Sequence, residues 1–101
     1  MKKSCEFFSG RIAEAFKGTS LDGATIEVLT YREDGEFIVA IDVIGRPCSA
    51  MAKANLLSYL RSHGLSNIEI AGEDIVSPED GIRVYSVCNE SAFLQLSNRG
   101  E

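Results

Sequence analysis

The chain has no tryptophan, two prolines, one histidine and three cysteines. Cys5, Cys48 and Cys88 stand far apart with no Cys-x-x-Cys pair, so neither a disulfide framework nor zinc-ligand spacing is present. Long apolar runs are missing as well. Met1-Lys2-Lys3 is followed by Glu6, Ser9, Gly10 and Arg11, which breaks any secretory or membrane-spanning stretch and makes the cytoplasm the expected compartment. Basic residues are in short supply, with 10 Lys and Arg against 15 Asp and Glu and a formal charge of −5. That balance argues against duplex nucleic acid and anionic membranes, which select basic patches. The eight aromatic residues are not interleaved with bases, so single-strand stacking is unsupported too. Dinucleotide, P-loop, zincin, nucleophile-elbow and Ser-x-x-Lys templates are all absent.

What is present is ordinary globular composition, 45% hydrophobic and 25% charged, with no repeat or linker. Residues 1–101 therefore read as a single α+β domain, with 97–101 expected to fray. From Ser4 to Lys17, Cys5, Phe8, Ile12, Ala15 and Phe16 recur at helical spacing, with Ser4 as cap and Gly18 beyond the end. Residues 24–31 and 36–44 are β-branched strands around Asp34-Gly35, a tight-hairpin dipeptide. A two-residue loop pairs Glu33 with Glu36, Val28 with Ile41 and Glu27 with Asp42. A three-residue loop with a bulge at Gly35 pairs Arg32 with Glu36 instead. The second helix runs from its cap Ser49 to His63, with Gly64 and Leu65 spaced for a Schellman closure. Residues 67–71 and 82–88 read as strands joined by an acidic connection, and 91–96 as either a short helix or a fifth strand.

The resulting order is αββαββ, a two-layer sandwich in which two helices cover one face of a four-stranded antiparallel sheet. It corresponds to a permuted ferredoxin-like plait, with 82–88 between 36–44 and 67–71. Such a fold carries no activity by itself.

If helices cover one face only, the other carries Leu29, Tyr31, Ile38 and Ala40 at its centre in the two-residue-loop register. Glu27, Glu33, Glu36 and Asp42 surround them, and residues 82–88 add either Tyr85 and Val87 or Val84 and Ser86. An apolar patch with a polar rim is what an interaction surface looks like. The competing reading is that Phe93–Leu96 folds across it. Charge is also uneven: Glu69, Glu73, Asp74, Glu79 and Asp80 fall in a window without a base, and the rest of the chain has ten of each sign. A localised acidic segment steers a basic partner or simply faces water. It lacks the spacing of a calcium loop, and no metal or cofactor is expected.

Cys48 is the one candidate nucleophile. It precedes a helix, where the dipole and Arg46 favour a thiolate. His63 stands at the far end of the same helix, about 22 Å away at about 1.5 Å per residue, which excludes a Cys48–His63 dyad. The expectation is thus a small non-enzymatic protein-binding module, of inhibitor, immunity or adaptor type or self-associating. Its contacts would come from Leu29, Tyr31, Ile38, Ala40 and Tyr85 together with Glu69, Glu73, Asp74, Glu79 and Asp80. The alternative is a ligand-binding or thiol-dependent domain centred on Cys48.

Overall fold

Asp34 and Gly35 adopt φ of 51° and 80°, the left-handed pair that a two-residue hairpin requires. A computed structural model describes residues 3–71 and 79–99. In it the turn joins β2 (Thr25–Glu33) to β3 (Glu36–Ile44) in an antiparallel register that places Val28 opposite Ile41 and Glu33 opposite Glu36. No bulge intervenes at Gly35.

Helix α1 spans Glu6–Ala15. It starts one residue later than its sequence pattern suggests, with Cys5 rather than Ser4 at the cap position, because Lys3–Ser4 form a short strand, β1, paired with Thr30 and Leu29 of β2. The Cys5 amide continues that pairing by donating to the Val28 carbonyl at 2.8 Å, and no side chain caps the helix. Cys5, Phe8, Ile12 and Phe16 are buried as the stripe predicts, whereas Ala15 is exposed.

Helix α2 spans Ala50–Ser62 and begins as its sequence dictates, with the Ser49 hydroxyl accepting from the Ala52 amide at 3.1 Å. It closes on a Schellman motif: the Leu65 amide bonds the Leu60 carbonyl and the Gly64 amide bonds that of Arg61, each at 3.1 Å. Leu65 is fully buried beside Leu60 and Leu56. Tyr59 clamps α2 to α1. Its ring packs on Phe8 at 6.4 Å and Phe16 at 5.8 Å, and its hydroxyl donates to the Arg11 carbonyl.

Strand β4 (Ile68–Ile70) and strand β5 (Gly81–Cys88) complete a five-stranded antiparallel sheet in the order β1-β2-β3-β5-β4. The last element among the described residues is helix α3 (Glu90–Arg99). Asn89 nucleates it, its side-chain oxygen accepting from the Ala92 amide at 2.8 Å.

The element order is therefore βαββαββα. The expected αββαββ order, with four strands and two helices, is corrected at both ends. β1 is too short to show an alternation, and the cap that selects helix for the tail lies at Asn89, ahead of the segment in question. Helix α3 extends to Arg99, and residues 100–101 of the segment expected to fray lie outside the described residues.

One face of the sheet supplies the core. Val28, Val39, Ile41, Val43, Ile82 and Val84 pack against Phe8, Ile12, Leu56, Leu60 and Leu96 from the three helices. α3 lies on this same side, with Phe93 against Phe37 at 4.9 Å and the Leu96 carbonyl accepting the Cys5 thiol at 2.9 Å. It does not cross the opposite face. Among the described residues no helix is long and apolar enough to cross a membrane.

Candidate functional site

Side chains alternate along a strand, so the residues directly opposite one another in β2, β3 and β5 share a face. The register brings Leu29 beside Ala40, Ala40 beside Tyr85, Tyr31 beside Ile38 and Ile38 beside Val87. All point away from the helices. Of the two possible facings of β5, the one that exposes Tyr85 and Val87 is adopted. Val84 is buried and Ser86 lies inside, its hydroxyl without a hydrogen-bond partner. Ile38 is only 8% exposed although it belongs to the face opposite the helices, and Tyr85 stands at 37%. Glu27, Leu29, Tyr31, Ala40, Asp42, Arg83 and Tyr85 line a shallow depression of about 360 Å³.

The rim is acidic. Glu27 faces Asp42 across β2 and β3, and Glu33 faces Glu36 at the hairpin end. Arg83, opposite Asp42 on β5, answers the first of these repulsions. Its Nε donates to Oδ1 at 2.8 Å and its Nη2 to Oδ2 at 3.0 Å, a bidentate pair. The Asp42 carboxylate, with a smaller contribution from Glu27, raises the pKa of the Arg83 guanidinium further above its ordinary value. On the other side of β5, Glu69 of β4 stands opposite Tyr85. The Tyr85 hydroxyl donates to this carboxylate, and that hydrogen bond and negative charge, with a small contribution from Tyr31, push the phenol above its ordinary pKa.

The five predicted apolar or aromatic residues, Leu29, Tyr31, Ile38, Ala40 and Tyr85, thus come together. The acidic window does not form one unit. Glu69 is part of the sheet and joins the face. Glu79 and Asp80 are exposed in the turn leading into β5, where the Asp80 carbonyl accepts from the Gly45 amide at 2.7 Å. Glu73 and Asp74 lie outside the described residues. Arg83 was missed by sequence reasoning. Its two-residue spacing from Tyr85 carried the signal, but reading it required the facing of β5.

Cys48 lies in the connection ahead of α2, half-buried, with its thiol 3.9 Å from the Ser49 carbonyl. Burial pushes its pKa up and Lys53 pulls it down by less, so the net direction opposes a stabilised thiolate. Cys88, also half-buried, is raised by burial as well. His63 caps α2 and packs on Tyr59 at 4.4 Å and Phe8 at 5.5 Å, with Nδ1 3.0 Å from the Tyr59 carbonyl. These contacts give it a structural place between the two helices. No group of three or more potential metal ligands occurs among the described residues.

No protein-family model matches this sequence, and no curated protein or solved structure matches it significantly.

Proposed function

We propose that the chain is a small non-enzymatic module that binds another protein through the uncovered sheet face. The observation carrying this reading is that face itself: an apolar centre of Leu29, Tyr31, Ile38, Ala40, Tyr85 and Val87 within a ring of carboxylates. Apolar centres with charged rims favour burial at the middle and selectivity at the edge. Among the described residues Glu27, Glu33, Glu36, Asp42 and Glu69 oppose one arginine on this face, so the complementary partner is basic. A second copy would set acidic rim against acidic rim, a repulsive arrangement. Glu79 and Asp80 extend the negative field at the end of the sheet where β5 begins. We also read the fold as a permuted ferredoxin-like plait, supported by the neighbour order β2-β3-β5-β4.

The test is capture of a stoichiometric partner from the host lysate by the tagged chain and by a Leu29→Asn/Tyr31→Asn variant. Wild type retains a partner at about 0.1 M salt and releases it towards 1 M, where the Debye length shrinks from about 10 Å to about 3 Å. The variant, with unchanged circular dichroism, retains none. Equal retention by the variant removes the sheet face from the interaction, and recovery of bait alone at low salt removes the binding reading.

A further inference from the structure

Strand β4 closes the sheet on one side, with β5 as its only neighbour among the described strands. The Ala71 amide donates to the Arg83 carbonyl at 2.8 Å, and the Asn67 carbonyl accepts from the Val87 amide at 3.3 Å. Backbone groups alternate in direction along a strand, so Asn67, Glu69 and Ala71 turn theirs towards β5. Ile68 and Ile70 turn theirs outward, and among the described residues nothing hydrogen-bonds these two N–H and two C=O groups. Four unpaired backbone groups in strand geometry are a template for one more strand.

Side chains along this edge are sorted by face. Ile68 and Ile70 stand opposite Ser86 and Val84, on the helix side, and Ile70 is 43% exposed. Glu69 stands opposite Tyr85, on the open side. An incoming antiparallel strand forms hydrogen-bonded pairs with Ile68 and Ile70 and a non-hydrogen-bonded pair with Glu69. The last is the closer pairing, with about 4.5 Å between Cα atoms. The incoming residue opposite Glu69 thus lies against a carboxylate, and the residues flanking it lie beside isoleucines.

We propose that the outer edge of β4 receives an extended segment of the partner protein with the pattern apolar–basic–apolar, its basic residue opposite Glu69. The inference rests on the docking reading above for its occupant and adds a contact at the margin of the face. Charge selects that occupant. In the same register a second copy of β4, Ile68-Glu69-Ile70, sets Glu69 against Glu69, a destabilising like-charge pair. The adjoining depression of about 550 Å³ on the open side carries the same sign, with Glu36 and Glu69 among its described lining residues and no base. Valine or isoleucine suits the flanking positions because β-branched side chains pack well on a pleated surface.

The probe is acetyl-Thr-Val-Lys-Val-Thr-amide, added to the whole chain and followed by amide nuclear magnetic resonance and hydrogen exchange. In the free chain the Ile68 and Ile70 amides exchange faster than that of Glu69, which faces β5. Saturating peptide slows both on the order of tenfold. Methylating the two valine nitrogens, which face β4, removes binding, whereas methylating the lysine backbone nitrogen, which faces away, preserves it. The glutamate counterpart does not bind, and Glu69→Gln weakens the lysine peptide about twofold to fivefold. Ile70→Pro deletes one outward donor at an edge position, where proline is tolerated, and also weakens binding. Should Ile70→Pro fail to fold, the methylated peptides carry the same test on the unaltered chain.

Unchanged exchange at Ile68 and Ile70, equal binding of the glutamate peptide, or binding that survives methylation of both valines overturns the edge site. Slow exchange at these amides without peptide means that the edge is already filled and overturns it as well. Partner capture and its dependence on Leu29 and Tyr31 are read separately, so the edge fails without the docking face. Loss of that dependence with the peptide response intact overturns the docking face alone.

Discussion

Arg83 and Asp42 meet across β5 and β3 through two parallel hydrogen bonds, at 2.8 and 3.0 Å, and Asp42 in turn faces Glu27 on β2. Arg83→Gln therefore removes a bond and leaves two carboxylates opposed. With the arginine 43% exposed, solvent screens much of the effect, and a loss of about 0.5 kcal/mol is expected at low salt. In urea titrations the loss shrinks as salt rises. Adding Asp42→Asn to the Arg83→Gln variant recovers part of it, because the remaining repulsion with Glu27 disappears.

Gly81 admits no side chain. Its φ is 137°, and an ideal Cβ there would overlap the Val43 carbonyl oxygen and lie 2.9 Å from the Ile44 Cα. Both neighbours are backbone of β3 and cannot swing aside. Gly81→Ala is expected to cost about 3 kcal/mol, combining backbone strain with displacement of β3 from β5. For a domain of this size that lowers the thermal midpoint by roughly 12–24 °C, readable by circular dichroism.

Tyr85 holds its proton more tightly than a free tyrosine because its hydroxyl donates to the Glu69 carboxylate. An ultraviolet titration should place its ionisation above 10.0, and Glu69→Gln should move that step down. The sign for stability follows from a folded-state pKa above the unfolded one. The contribution is complete below about pH 10 and is lost as pH rises through the folded value.

Cys48 should label slowly with iodoacetamide at neutral pH, because burial raises its pKa above 9.0. The rate should climb only at higher pH than for a free cysteine, and Lys53→Gln should shift that rise upward again. Labelling below the pH of free cysteine would restore the thiol-dependent alternative.

Short-range features were legible from the residues. Asp34-Gly35 implied a tight turn, and of the two registers it allowed, the two-residue loop now observed places Leu29, Tyr31, Ile38 and Ala40 on one face. Ser49, Gly64 and Leu65 bounded α2 by hydrogen bonds that span a few residues. Less legible was β1, whose two residues show no period, and the cap for α3 at Asn89 was not recognised. Cys48 misled in the other direction. Its position ahead of a helix promised a lowered pKa, but the packing around it determines the larger, opposite effect.

The sequence by itself determined the helices, the strands and the hairpin turn, since each depends on torsions and contacts between near neighbours, and left the hairpin register open between two loops. Tertiary structure alone decided that β5 turns Arg83 and Tyr85 outward, that Glu69 reaches Tyr85, and that α3 packs beside α1 rather than over the open face. Those relationships join segments distant in the chain. They follow from burying Ile82, Val84 and Leu96 in one shared core, which sets the facing of β5 and leaves the opposite face without a helix over it among the described residues.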